Sequence, residues 1–135
     1  ELRAGGQYST VDALRVGALA IEVSVYEDAA AFEASPEATP GGDLRIAADA
    51  LISPSLIALQ AAAIPASEAS PALLMGVEVL GVETRRNRLT GVDFQYVHGR
   101  SAMPISCAVP AKVSVAVGNV IHGTWYATCS SGIWD

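Results

Sequence analysis

Charged and aromatic residues are scarce in this sequence. Asp, Glu, Lys and Arg make up 16% of its 135 residues and aromatic residues 6%, whereas hydrophobic residues make up 51%. Soluble domains usually carry about a quarter charged residues. A surface this poor in charge is expected to be covered in part by a partner or by neighbouring copies. Because the net charge is −6, nucleic acid is not expected to be the main ligand.

Long apolar runs are also missing. A membrane-spanning helix needs roughly 18 consecutive apolar residues, and the longest run here, over residues 56–64, is short and rich in alanine. We therefore expect no membrane span. No signal peptide is recognisable, and the chain starts at Glu1 without a methionine, so we expect a processed or trimmed form. The length suits a single domain over residues 1–135 with a core of its own.

The spacings that mark common catalytic and metal sites do not occur. The sequence has no CxxC, HxH or HExxH pattern for zinc. It also has no GxSxG turn for a nucleophilic serine and no glycine-rich phosphate loop before a clear helix. We therefore predict no metal and no cofactor, and the pattern identifies no catalytic group.

The chain has only two cysteines, and both lie in the stretch 106–130. An antiparallel hairpin with Ala116 opposite Val120 separates apolar from polar side chains on both of its strands. The same register places Cys107 directly opposite Cys129. Opposed strand positions bring Cβ atoms within the roughly 4–5 Å that a disulfide needs. We predict a disulfide between the two cysteines; the alternative is two buried free thiols in a cytosolic protein.

A disulfide implies an oxidising compartment, so the predicted location is extracellular, at a cell surface or in a virion. The hairpin register also assigns Trp125 to the core and His122 to a solvated polar face. Pro110 is the exception in the pattern, because it has no N–H to donate, and its strand should be an edge or carry a bulge there. Another copy of the chain could dock at such an edge.

The rest of the chain predicts a mainly β fold. We expect a β-sandwich, or an α+β domain with an antiparallel sheet, that contains the disulfide-closed C-terminal β-hairpin and one or two short helices in the first half. Residues 10–16 are ambiguous, and a strand is favoured over a helix there. The other predicted elements are a strand over 19–26, helical turns within 28–34, a loop over 35–43, a helix over 55–63, and a second hairpin with strands at 74–84 and 91–98.

Five side chains are candidates for contacts with other molecules. Arg85, Arg86 and Arg88 form the one basic cluster and predict an anion or subunit contact; the alternative is a solvated hairpin tip. His98, at a strand end, is a candidate for ligand contact or catalysis. Tyr126, on the polar face of its strand, is an aromatic side chain that a ligand could contact.

Three classes of function remain. We predict a non-enzymatic structural subunit of an extracellular assembly, such as a pilus, a surface filament or a virion coat, whose partners are copies of itself. The first alternative is a small secreted binding module with an unidentified ligand. The second is a small enzyme that uses His98.

Overall fold

The computed structural model describes residues 2–4, 7–9, 15–41, 43–68 and 70–130. Strands dominate this part of the chain, and its helices are short. The strands are β1 (Leu2–Ala4), β2 (Gln7–Ser9), β3 (Arg15–Tyr26), β4 (Leu51–Ile52), β5 (Ala72–Arg86), β6 (Asp93–Arg100), β7 (Pro104–Pro110) and β8 (Val120–Ser130). The helices are α1 (Ala29–Glu33) and α2 (Pro54–Gln60), with 3-10 turns at Pro36–Ala38 and Ala66–Glu68.

Five of the strands close into one barrel. Around the ring β5–β6–β7–β3–β8 each strand is hydrogen-bonded to the next, and β8 pairs back onto β5. Every neighbouring pair in the ring is antiparallel except β7 with β3, which is parallel. The predicted mainly β class is therefore confirmed. The predicted β-sandwich is wrong, because one sheet closes on itself where a sandwich would stack two sheets face to face. The alternative, an antiparallel sheet, is also wrong, because the parallel pair of β7 with β3 makes the sheet mixed.

The longest strand, β5, makes the closure possible. Its first half, from Ala72 to Glu78, pairs with β8, and its second half, up to Arg86, pairs with β6. A bulge between Val79 and Gly81 lies where the partners change, and a bulge bends a strand and increases its twist. The two residues of β4 pair with the first half of β5. β5 thus joins β8 to β6, and these two pairings close the barrel.

The barrel interior holds an apolar core around Trp125 of β8. This is the largest fully buried side chain, and its indole Nε1 donates a hydrogen bond of 2.9 Å to the carbonyl oxygen of Met75. Its polar atom is therefore not left unpaired in the core. The cluster includes buried side chains from all five barrel strands: Ala18, Val77, Val97, Ile105 and Ile121. The prediction that Trp125 belongs to the core is confirmed.

The predicted C-terminal hairpin is wrong. β7 and β8 are not neighbours, because β3 lies between them and pairs with both. In the observed register Cys107 pairs with Val97 and Ala18, and Cys129 pairs with Val16. Cys107 is a buried free thiol, so the predicted disulfide with Cys129 is not formed. Alternation identified both strands, but it cannot reveal that a strand remote in sequence inserts between them.

A bulge in β3 changes which side chains the strand buries. Simple alternation would place Leu19, Ile21, Val23 and Val25 on one face. The register against β8 slips at Ile21, which has no partner on that strand. Val23 and Val25 pack against the core, whereas Leu19 and Ile21 are about half exposed. The predicted strand is confirmed, but two of its aliphatic side chains lie on the outside of the barrel.

Residues 27–50, called the crossover segment below, cover part of the barrel's outer surface. Its helix α1 follows Asp28, whose side chain accepts a hydrogen bond of 2.8 Å from a backbone N–H of the first turn and so caps the helix. Phe32 of α1 is fully buried in a cluster with residues of β3 and β8. Farther along, a Cβ on Gly76 of β5 would collide with the carbonyl of Ala48. The crossover segment and the barrel thus share a second, smaller hydrophobic cluster.

Of the remaining elements, some were predicted from the sequence and others were not. The predicted helix over 55–63 is α2, and the predicted second hairpin is β5 with β6. β1 and β2 form a separate antiparallel pair that the sequence analysis does not predict. Most of the ambiguous stretch 10–16 lies outside the described residues. Within the described ranges, no helix combines the length and the apolar character needed to cross a membrane.

Candidate functional site

An open groove of about 490 Å³ runs over the surface of the barrel. It spans β3, the end of β7 and the start of β6, and it continues onto the turn that follows β7. The lining is mostly apolar and includes Leu19, Val92, Phe94, Ala108, Pro110 and Ala111. Small-molecule sites measure roughly 300–1,000 Å³. The groove therefore has room for several apolar side chains.

The groove lies where the parallel contact between β3 and β7 ends. Only three residue pairs join these strands, and the last is Leu19 with Ala108. Two residues farther along β7, Pro110 has no N–H to donate, and β3 carries its bulge at Ile21. Because the pairing of β3 with β7 stops at this point, the apolar side chains beside it stay uncovered. The edge or bulge expected at Pro110 is wrong: β7 lies between β6 and β3 in the closed ring, pairs with β6 as far as Pro110 without a register shift, and ends there.

Basic side chains lie beside the groove. Lys112 is part of its lining. Asp93, which also lines it, accepts a hydrogen bond of 2.9 Å from the guanidinium of Arg86. Arg85 is the residue before Arg86 in β5, and Arg88 lies in the turn between β5 and β6. Of the predicted basic cluster, Arg86 therefore contacts a residue that lines the groove.

Tyr96 connects two of the predicted contact residues. The Arg85 guanidinium lies 4.0 Å from the centre of the Tyr96 ring, which is a cation–π contact. The same guanidinium donates hydrogen bonds of 3.1 and 3.3 Å to the carboxylate of Glu83 and lowers the pKa of that group. His98 meets the Tyr96 ring edge-on, with 4.8 Å between ring centres. Arg85 and His98 thus share one outer face, next to a tyrosine that the sequence analysis does not single out.

Tyr126 lies in the same row across the sheet as Tyr96. Tyr96 pairs with Ala108, Ala108 with Leu19, and Leu19 with Tyr126. Measured along the curved sheet, three strand spacings of about 4.8 Å separate the two tyrosine backbones by roughly 14 Å. Tyr126 is 44% exposed. The row therefore has an aromatic residue at each end and smaller side chains between them.

Negative charge is concentrated on the crossover segment. The segment has six carboxylates and one arginine, so its net charge is −5, compared with −6 for the whole chain. Residues 81–112 hold five basic side chains and two carboxylates. The carboxylates of Glu83 and Asp93 pair with Arg85 and Arg86, and Arg100 lies at the end of β6 away from the groove. The crossover segment packs against the barrel through residues such as Val120 of β8, whereas the groove spans β3, β7 and the start of β6. The crossover segment is therefore acidic, and Lys112 is the basic side chain in the lining of the groove.

His122 is buried, although the hairpin pattern predicts that it is solvated. Its side chain is 2% exposed, and its ring stacks on Phe32 with 4.3 Å between ring centres. Neither ring nitrogen has a hydrogen-bond partner within the described residues, and Nδ1 lies 3.7 Å from Oε2 of Glu37. Burial lowers the pKa of His122, and the Glu37 carboxylate opposes that shift. The predicted surface position is wrong because α1 covers this part of β8.

Cys107 is a core residue with low reactivity. Burial raises the pKa of its thiol to about 12. The thiolate is the reactive form of cysteine, so this side chain stays protonated and inert at neutral pH.

Within the described residues, no three His, Cys, Asp or Glu side chains come together in a group that could hold a metal ion.

Comparisons with protein-family models, with curated proteins and with solved structures found no match for this chain. The groove, its basic side and the acidic crossover segment are therefore the features on which a functional proposal can rest.

Proposed function

We propose that this protein is a non-enzymatic structural subunit that assembles with copies of itself. The separation of charge carries the proposal: the crossover segment is acidic, and the apolar groove has basic side chains beside it. Two copies attract each other when an acidic region meets a basic one, and they repel each other when like regions meet. The groove offers exposed apolar surface that association would bury.

A binding module for a small ligand is the second candidate. It is favoured by the row that runs from Tyr96 to Tyr126, with His98 and Arg85 beside Tyr96. Tyr126 is 44% exposed, and Tyr96 is half-buried between Arg85 and His98, so a ligand could contact aromatic, basic and imidazole groups on this outer face. A ligand of this kind would bind to the isolated monomer, whereas the first proposal requires that copies meet.

Two predictions from the sequence remain untested. An extracellular assembly such as a pilus, a surface filament or a virion coat stays a prediction, and its main support, the disulfide, is not present. Catalysis by His98 also stays a prediction. Its ring is exposed beside Tyr96, and a His98→Ala variant with unchanged behaviour in every assay tried would count against that role.

The mass of the protein in solution tests the main proposal. Light scattering at low ionic strength should give a mass above the 13.9 kDa of one chain that rises with protein concentration. Added salt should lower the mass, because the screening length falls from about 30 Å at 0.01 M to about 3 Å at 1 M. A mass of one chain at every concentration and salt level would refute self-assembly.

A further inference from the structure

We propose that two copies of this chain pair antiparallel along the second half of β5, with Thr84 of one copy opposite Thr84 of the other. The contact rests on the self-assembly proposed above, because its partner is a second copy of the chain. It uses neither the groove nor the crossover segment. The sheet would continue from β6 and β5 of one copy into β5 and β6 of the other.

The second half of β5 has a neighbouring strand on one side only. On that side it pairs with β6 as far as Arg86. On the other side the pairing with β8 ends at Glu78, and two backbone hydrogen bonds then join Val79 to the turn at 118–119. Beyond that point, no strand of the described part of the chain pairs on this side. Every second residue of a strand directs its N–H and C=O to the same side, so residues 82–86 offer unpaired backbone groups to a further strand.

This edge is accessible to another chain. It extends past the start of β8, and the side chains of residues 83–86 are exposed. Proteins commonly protect such an edge with a proline, a bulge or charged side chains. Residues 82–86 include no proline, and the bulge of β5 lies before them, between Val79 and Gly81. Charged side chains are therefore the feature that decides what can pair here.

The charges form a pattern that complements itself. Glu83 and Arg85 lie on one face of β5, and the guanidinium donates hydrogen bonds of 3.1 and 3.3 Å to the carboxylate. In a two-fold antiparallel pair, one residue lies opposite its own copy, and residues equally far before and after it lie opposite each other. A pair centred on Thr84 therefore places Glu83 of each copy opposite Arg85 of the other. The four charges then alternate in sign around a square.

Neighbouring registers are disfavoured by the same charges. A pair centred on Glu83 places two carboxylates opposite each other, and a pair centred on Arg85 places two guanidinium groups opposite each other. Like charges at opposed positions destabilise a strand pair, whereas opposite charges stabilise it. The pattern thus selects the register with Thr84 at its centre.

The other face of the strand is compatible with this register. Thr84 lies opposite Thr84, and threonine pairs can hydrogen-bond across strands. Val82 lies opposite Arg86, whose guanidinium already donates a hydrogen bond of 2.9 Å to Asp93 of its own chain. No like charges are opposed on this face. Because both copies use the same surface, the contact closes at two chains, and a larger assembly needs a second surface such as the groove.

Exchange of the two charges tests the register. The Arg85→Glu variant places Glu83 opposite a new carboxylate, and the Glu83→Arg variant places Arg85 opposite a new guanidinium. At a concentration at which the wild type has the mass of two chains, each variant alone should have the mass of one chain. An equimolar mixture should regain the mass of two chains, because opposite charges face each other again at both positions. Each substitution changes the net charge of −6 by two units, so both variants stay negative overall and have no general attraction for each other.

Two further variants serve as controls. The double variant Glu83→Arg/Arg85→Glu carries both exchanges in one chain and should pair with itself as the wild type does. Arg100→Glu makes the same change of charge at an exposed position of β6, away from the free edge of β5, and should keep the wild-type mass. Each variant is compared with the wild type by circular dichroism.

Hydrogen exchange tests the contact without a substitution. When the wild type is concentrated from one chain to two, protection should rise at backbone N–H groups of residues 82–86 that face the free edge. If the mass doubles and protection over these residues does not change, the contact is overturned even where a variant fails to fold.

The outcomes separate this contact from self-assembly in general. If Arg85→Glu or Glu83→Arg keeps the wild-type mass, the β5 contact is overturned while self-assembly stands. If both variants and their mixture stay at the 13.9 kDa of one chain, Glu83 and Arg85 do not face each other across the contact, and the register is overturned. A wild-type protein that is monomeric under all conditions overturns both proposals.

Discussion

Two buried residues on β8, Trp125 and His122, lie in contrasting environments. Trp125 belongs to the barrel core, where its one polar atom donates a hydrogen bond to Met75. His122 lies in the outer cluster under α1, stacked on Phe32, and both of its ring nitrogens lack a partner within the described residues. The inner cluster therefore buries its largest side chain without loss of hydrogen bonding. The outer cluster buries His122 with both ring nitrogens unpaired within the described residues.

This contrast separates the contacts that hold the barrel from those that hold the crossover segment. The inner cluster draws side chains from all five barrel strands. The outer cluster depends on Phe32, Ala38 and Val120, with Tyr26 packed against them, and it contains a buried polar group whose unmet hydrogen bonds cost about 1–3 kcal/mol. We expect the crossover segment to detach before the barrel unfolds.

The largest effect is expected from Trp125→Ala. Removal of a fully buried tryptophan should lower the free energy of unfolding by about 3–5 kcal/mol, a large part of the roughly 5–15 kcal/mol of a typical domain. Urea denaturation followed by circular dichroism measures the loss. Trp125→Phe is the control: it keeps most of the apolar volume but leaves the Met75 carbonyl without its donor, and it should cost less than Trp125→Ala. If Trp125→Ala has no measurable effect, the barrel core is not where the stability lies.

A smaller effect is expected from Phe32→Ala. Phe32 is fully buried, and in a closed core its loss would also cost about 3–5 kcal/mol. The crossover segment can detach locally, however, so we expect the free energy of global unfolding to fall by about half of the loss caused by Trp125→Ala. Hydrogen exchange should show the distinction, with protection lost in residues 28–48 and kept in β5 and β8. An equal loss of protection in the barrel strands would contradict the separation of the two clusters.

Most strands could be predicted from the sequence, but their neighbours could not. Alternation located β3, β5, β6, β7 and β8 because it depends on local geometry. The order of strands in a sheet depends on contacts between remote segments. A regular hairpin over 106–130 satisfies the local rules except at Pro110, and it is wrong because β3, about ninety residues away, lies between its two strands.

The candidate site shows the same difference between local features, which the sequence predicts, and contacts between remote segments, which it does not. The missing N–H of Pro110 is a local property, and β7 ends at this residue, but the predicted edge or bulge does not occur because β6 and β3 flank the strand. Arg85, His98 and Tyr126 were also recognised, but the link through Tyr96 was not. The burial of His122 could not be predicted, because it depends on a helix that begins at residue 29 and lies over β8.

The smallest predicted effect is a pH dependence that arises from His122. The pKa of its ring is lower in the folded chain than the ordinary value of 6.5, so below about pH 6.5 the unfolded chain binds a proton that the folded chain does not. The contribution to stability is complete above that pH and is lost as the pH falls toward the folded pKa, by at most about 1.4 kcal/mol per pH unit. Urea midpoints at pH 7.5, 6.5 and 5.5 measure this loss, and His122→Gln should remove it. Glu37→Gln should lower the pKa of His122 further and extend the loss to more acidic pH, because the nearby carboxylate no longer favours the charged ring. The same pH dependence in wild type and in His122→Gln would show that the unpaired histidine does not weaken the outer cluster, and the contrast with Trp125 would then concern packing alone.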